Sequence, residues 1–79
     1  MWYYVYILAL SNGKLYVGCT VNLKERFSRH QKGYVPATKN NRPMKLVWCC
    51  SFKDRYKAYA FEKYLKSGSG RAFAAKHLI

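Results

Sequence analysis

The stretch Tyr6–Gly18, YILALSNGKLYVG, decides the fold, because the turn inside it sets the register of two strands. Residues Trp2 to Leu10 are aromatic and β-branched, Lys14 to Cys19 repeat that chemistry, and Ser11-Asn12-Gly13 between them marks a tight turn, so a hairpin is predicted. A two-residue Asn12-Gly13 loop of type I′ pairs odd with even positions and sends Tyr6 and Tyr16 to opposite faces of the sheet. A three-residue loop with Gly13 left-handed pairs even with even, sets Tyr6 opposite Gly18 and keeps Tyr16 on the same side. The S-N-G-K sequence permits this second hairpin. In it Gly18 leaves open space beside Tyr6, and two phenols face one cavity.

Working outward, Asn22 followed by Glu25 matches a capping box, and Leu23, Phe27 and His30 recur at i, i+4 and i+7, which predicts a helix over residues 23–31 that stops near Gly33. Residues 31–43 hold two prolines, Asn40-Asn41 and several cations without periodicity, so they read as a long basic loop. Lys45 to Phe52 suits a third, well-buried strand. Asp54 caps a helix with Ala58, Phe61 and Leu65 on its apolar stripe, ended by Gly68-Ser69-Gly70, and a last short helix runs from Arg71 to about Leu78. The order β-β-α-β-α-α predicts an α/β fold of the α+β type: a small, three-stranded, mostly antiparallel sheet flanked by helices, in a single domain over residues 1–79.

The chain carries 15 Lys and Arg against three acids, a net charge of +12, and the cations are spread from Lys14 to Lys76 instead of forming a tail. Such self-repulsion is relieved by a polyanion, and nucleic acid is the commonest one. A membrane surface is a poor match, since no basic amphipathic stripe faces a continuous apolar side, and MWYYVYILAL has neither the basic start of a signal peptide nor the length to span a bilayer. Cys19, Cys49 and Cys50 lack metal-ligand spacing and read as buried free thiols of a reducing compartment, which places the chain in the cytoplasm.

Hydrolysis of a phosphodiester needs an activated water, neutralised charge at phosphorus and help for the leaving oxygen, and metal ions commonly supply the last two. Three carboxylates are too few for a two-metal site. Asp54 and Glu25 have capping work, so Glu62 is the spare carboxylate, suited either to one Mg²⁺ (or Mn²⁺) or to a surface pair with Lys66. Arg26 and His30 share a helical face. Arg26 reads as a phosphate fork or a solvated side chain, and His30 as a site residue, a helix-terminal cation or a core-edge ring.

The ordered set Val5-Tyr6-Ile7, Tyr16-Val17-Gly18, L-K-E-R-F-S-R-H and a later helix with a single Glu resembles the GIY-YIG nucleases, and most closely their small stand-alone bacterial members. It is also similar to the N-terminal domain of the nuclease subunit of excision repair. The resemblance implies a Mg²⁺-dependent DNA endonuclease with a one-metal mechanism and little sequence selectivity. Tyr6 would help deprotonate the attacking water, Tyr16 orient it, Arg26 stabilise the transition state, His30 hydrogen-bond the phosphate or relay a proton, and Glu62 hold the metal. A free Tyr titrates near pH 10, about three units above neutrality, so either Tyr6 is made more acidic or His30 is the proton acceptor. Val5 stands where the family motif has Gly, and no Asn follows Asn41, where many members carry a late one. Lys14, Arg29, Lys32, Lys39, Arg42, Lys66 and Arg71 are the expected grip on nucleic-acid phosphates. A nucleic-acid-binding module without catalysis on the same fold, and a recruitment domain for an acidic protein, are the competing readings.

Overall fold

The computed structural model describes residues 1–79. Strand β1 (Tyr3–Ala9) is followed by β2 (Leu15–Thr20), helix α1 (Leu23–Gln31), β3 (Lys45–Phe52), α2 (Arg55–Lys66) and α3 (Gly68–His77). The sheet order is β2-β1-β3 and both pairings are antiparallel, so the α+β expectation and its element order hold.

The hairpin takes the three-residue loop. The Leu10 amide donates to the Lys14 carbonyl at 2.9 Å, Gly13 has φ of 84°, and the Lys14 amide donates to Asn12 Oδ1 at 3.0 Å. Gly is needed there because its missing Cβ makes the left-handed backbone cheap. The resulting register pairs Tyr6 with Gly18 and Leu8 with Tyr16. One sheet face therefore carries Tyr6, Leu8 and Tyr16, packed with Met44, Leu23 and Phe27 under α1. The other carries Val5 and Ile7, which pack with Ala58, Leu65 and Ala74 of α2 and α3.

Local signals set the helix ends. Asn22 accepts from the Glu25 amide, but Glu25 does not close the capping box: the Asn22 amide donates to Thr20 Oγ1, and the Glu25 carboxylate lies 4.0 Å from Arg29 on the next turn. α1 ends with the Gly33 amide on the His30 carbonyl and the Tyr34 amide on the Arg29 carbonyl, around Gly33 at φ of 80°. Asp54 caps α2 as expected.

Three further expectations need correction. The last helix starts at Gly68, not Arg71, because Ser67 both ends α2 and caps α3, its hydroxyl accepting from the Gly70 amide. The glycines that read as a break lie inside the helix, and Gly70 is required because a Cβ there would run into the Tyr64 carbonyl. β3 is an edge strand, not a well-buried one: helix α2 packs on one of its faces, while Leu46, Val47, Cys49 and Ser51 remain exposed. The cysteines are accordingly not buried, with Cys49 exposed and the other two half-buried; Cys19, Cys49 and Cys50 are all free thiols.

The basic loop is a loop as expected, but not a loose one. Val35, Thr38 and Met44 are buried, and Arg42 fastens it by donating through Nε to the Lys39 carbonyl at 2.9 Å and through a terminal nitrogen to the Gln31 carbonyl at 3.4 Å.

Candidate active site

Gly18 is where the site begins. A Cβ on it would collide with Cζ and the hydroxyl of Tyr6, so the ring of Tyr6 lies across the backbone of β2 and projects toward α1. The space at Gly18 is therefore filled by Tyr6 itself, which corrects the expectation of an open cavity between two phenols. From that position the Tyr6 hydroxyl meets His30 Nε2 at 2.9 Å, and His30 Nδ1 meets Thr38 Oγ1 at 2.8 Å. Thr38 Oγ1 donates onward to the Val35 carbonyl at 3.5 Å.

In the tautomer that leaves Nε2 to accept from the Tyr6 hydroxyl, Nδ1–H donates to Thr38 Oγ1, whose own hydrogen is then free to turn to the Val35 carbonyl. Burial, with the Arg26 charge second, pushes the His30 pKa below its usual value and keeps the ring neutral. Burial also raises the Tyr6 pKa, an effect that hydrogen bonding to Arg26 partly opposes. Tyr6 is therefore protonated at neutral pH and does not act as a standing phenolate.

Tyr16 completes an aromatic triangle, its ring centroid 6.4 Å from Tyr6 and 5.1 Å from His30, with the Tyr16 and His30 rings edge to face. Arg26, one turn before His30, lies beside both phenols, which raise its pKa, Tyr6 most of all by hydrogen bonding. Its Nε is buried without a hydrogen-bond partner. An orphaned guanidinium nitrogen is costly in a free protein and is satisfied when an anion arrives.

Glu62 stands apart from this cluster. It projects from α2 with its side chain 23% exposed and its carboxylate 3.3 Å from Lys66 Nζ, the surface pair that sequence spacing allowed. It is nevertheless close enough to push the Tyr6 and Cys19 pKa values upward. No group of three or more His, Cys, Asp or Glu forms a metal cage. A single carboxylate does fit Mg²⁺, which keeps most of its waters and takes one or two protein carboxylates beside substrate phosphates.

The expected phosphate grip divides into two sets. Lys14, Lys66 and Arg71 line one groove with Tyr16. Lys32 and Lys39 are exposed on the α1 side, where Arg29 lies near Glu25 and Arg42 is engaged in bracing its own loop. Thr38 was missed at the sequence level. Its only signal was a hydroxyl eight residues beyond His30, in a loop without periodicity.

His30 also makes stability depend on pH. Its folded-state pKa lies below the unfolded value, so the unfolded chain binds the extra proton, and stability falls as pH drops below about 6.5. Thermal unfolding followed from pH 7.5 to 5 should show a falling midpoint, and the fall should flatten in His30→Gln. An equal fall in both proteins would assign the dependence to other groups.

Two phenols, a neutral imidazole and a guanidinium with a nitrogen that lacks a hydrogen-bond partner are gathered at one place on a strongly basic α+β domain. Residues 2–75 match the GIY-YIG catalytic domain, and the chain belongs to that family of nuclease domains. It is 37% identical over 71 residues to a Pediococcus acidilactici protein named "UPF0213 protein in ldhD 5'region", covering 85% of this chain and 71% of that one. A UPF0213 protein of Limosilactobacillus reuteri is 32% identical over 72 residues, covering 87% of this chain and 75% of its own length. Among solved structures, the solution structure of the UPF0213 protein BH0048 from Bacillus halodurans superposes with a TM-score of 0.62 at 28% identity, covering 96% of this chain and 84% of that one. No helix is long and apolar enough to cross a membrane.

Proposed function

We propose that the domain is a Mg²⁺-dependent DNA endonuclease that hydrolyses one phosphodiester at a time with little regard to sequence. The observation that carries this reading is the Tyr6–His30–Thr38 chain beside Arg26, because it offers an acceptor for a proton in a site that also has an unsatisfied donor for an anion. Tyr6 is 1% exposed, so a water reaches its hydroxyl only when a neighbour moves. Arrival of a phosphate draws the Arg26 head toward its oxygens and opens that access. The attacking water then forms the new P–O bond while its proton passes to the Tyr6 oxygen, and the Tyr6 proton passes to His30 Nε2. The leaving oxygen departs with the electrons of the broken P–O bond. Tyr16 orients the phosphate and the water. Glu62 is the residue that would hold Mg²⁺, which when bound neutralises charge on the phosphate and on the leaving oxygen.

Phosphate contacts from Lys14, Arg29, Lys32, Lys39, Lys66 and Arg71, with a smaller share from the braced Arg42, carry no sequence information, so affinity is expected to fall steeply with salt. The test is cleavage of single-stranded, duplex and branched DNA with Mg²⁺, Mn²⁺ or EDTA. Wild type is expected to cut only with a divalent ion, and Glu62→Gln to lose about 10²-fold or more at fixed Mg²⁺. Cleavage that survives both EDTA and Glu62→Gln would overturn the metal assignment. Binding without cleavage in either ion would favour the non-catalytic module.

A further inference from the structure

A groove of about 640 Å³ opens between the outer edge of β2 and the corner of α2 and α3. Its floor is apolar, formed by Ile7, Leu65 and Ala74, with the half-exposed Leu15 at its mouth. Three cations stand around it, Lys14, Lys66 and Arg71, and Tyr16 forms the wall that it shares with the catalytic cluster. A greasy slot ringed by positive charge does not suit a neutral peptide or a free inorganic anion. It suits a ligand with a flat apolar body on an anionic backbone, and the size is within the usual range for a small-molecule pocket. The chain has only three acids, and the one near this groove, Glu62, is already matched by Lys66. Nothing there repels a polyanion.

We infer that this groove takes an unstacked nucleobase of the strand being cut, with Lys14 and Arg71 on the flanking phosphates. The inference rests on the nuclease reading and adds to it the form of the substrate. Because Tyr16 and Lys66 belong to both places, the base lies next to the phosphate under attack, on its Glu62 side. Its apolar floor holds the base by contact and not by reading its edge, so any base fits. A strand whose bases are already unpaired at the cleavage point enters without the cost of breaking a pair and a stack, and single-stranded or branched DNA is preferred over duplex.

The test uses the full chain in EDTA with two fluorescein-labelled 12-mers of equal charge, one of ordinary single-stranded DNA and one wholly abasic. Wild type is expected to bind the ordinary strand about tenfold or more tightly than the abasic one. Leu15→Glu, at the exposed mouth, should bring that ratio close to one. Tyr56→Glu, the same change in charge at an exposed position on α2 outside the groove, should weaken both probes and keep the ratio. Equal binding of the two strands by wild type, or a ratio that survives Leu15→Glu, overturns the slot while leaving the nuclease reading in place. Failure to bind either strand at low salt overturns both.

Discussion

Tyr6→Phe is expected to fold as the wild type does and to cleave about 10²–10⁴-fold more slowly, the usual span for loss of a positioned proton-transfer group. The ring still fills the place over Gly18, and only the hydroxyl that meets His30 Nε2 is gone. His30→Ala on top of Tyr6→Phe should cost little more, because members of one proton path fail together. Thr38 supplies the companion comparison. Thr38→Val removes the acceptor that holds His30 Nδ1–H, so the ring is free to turn or change tautomer, and kcat should fall with KM unchanged. Thr38→Ser keeps the hydroxyl and should restore most of the rate. Full activity in Tyr6→Phe, or equal losses for the Val and Ser variants, would remove the chain from the mechanism. The comparison is read in initial rates beside a melting curve for each variant.

Gly18→Ala should have the second large effect, on stability and activity together. The added methyl meets Cζ and the hydroxyl of Tyr6, with Cε1 at 2.8 Å, and the ring it strikes is buried and tied to His30. Overpacking of this kind costs about 1–3 kcal/mol. The ring can only relieve the clash by moving its hydroxyl off Nε2, so cleavage should fall by more than the lost stability accounts for. Urea unfolding and cleavage of the folded fraction separate the two losses. A Gly18→Ala protein as stable and active as wild type would mean that the Tyr6 ring does not lie across β2.

Much of this arrangement was legible in the sequence. The S-N-G-K turn reduced the register to two alternatives, one of which brings Tyr6 and Tyr16 to one face, because loop length and side-chain alternation are local and rigid; the fold chose that one. Asn22 and Asp54 announced two helix starts, and the spacing of Arg26 and His30 placed them on one face. What stayed hidden depends on neighbours distant in the chain. Lys45–Phe52 is apolar enough for a central strand, and only the order β2-β1-β3 reveals that one of its faces lacks a cover. Gly68 and Gly70 suggested a break, while the constraint that makes Gly70 necessary, the Tyr64 carbonyl of the preceding helix, is set by how α2 and α3 pack. Thr38 acquired its work from the fold of a loop with no period. Glu62 was found by elimination, and its i, i+4 spacing already offered the Lys66 pair that it makes.

The strand order also sets a timetable. β1 is the middle strand, yet it precedes both of its partners in the chain, and β3 begins only at Lys45. Val5, Ile7 and Leu8, which end with no solvent exposure at all, must therefore wait until Lys45–Phe52 has been made before the second flank of their sheet exists. During that wait the early hairpin offers an apolar edge to any other nascent copy. Slowing synthesis between Gln31 and Met44 would lengthen that exposure.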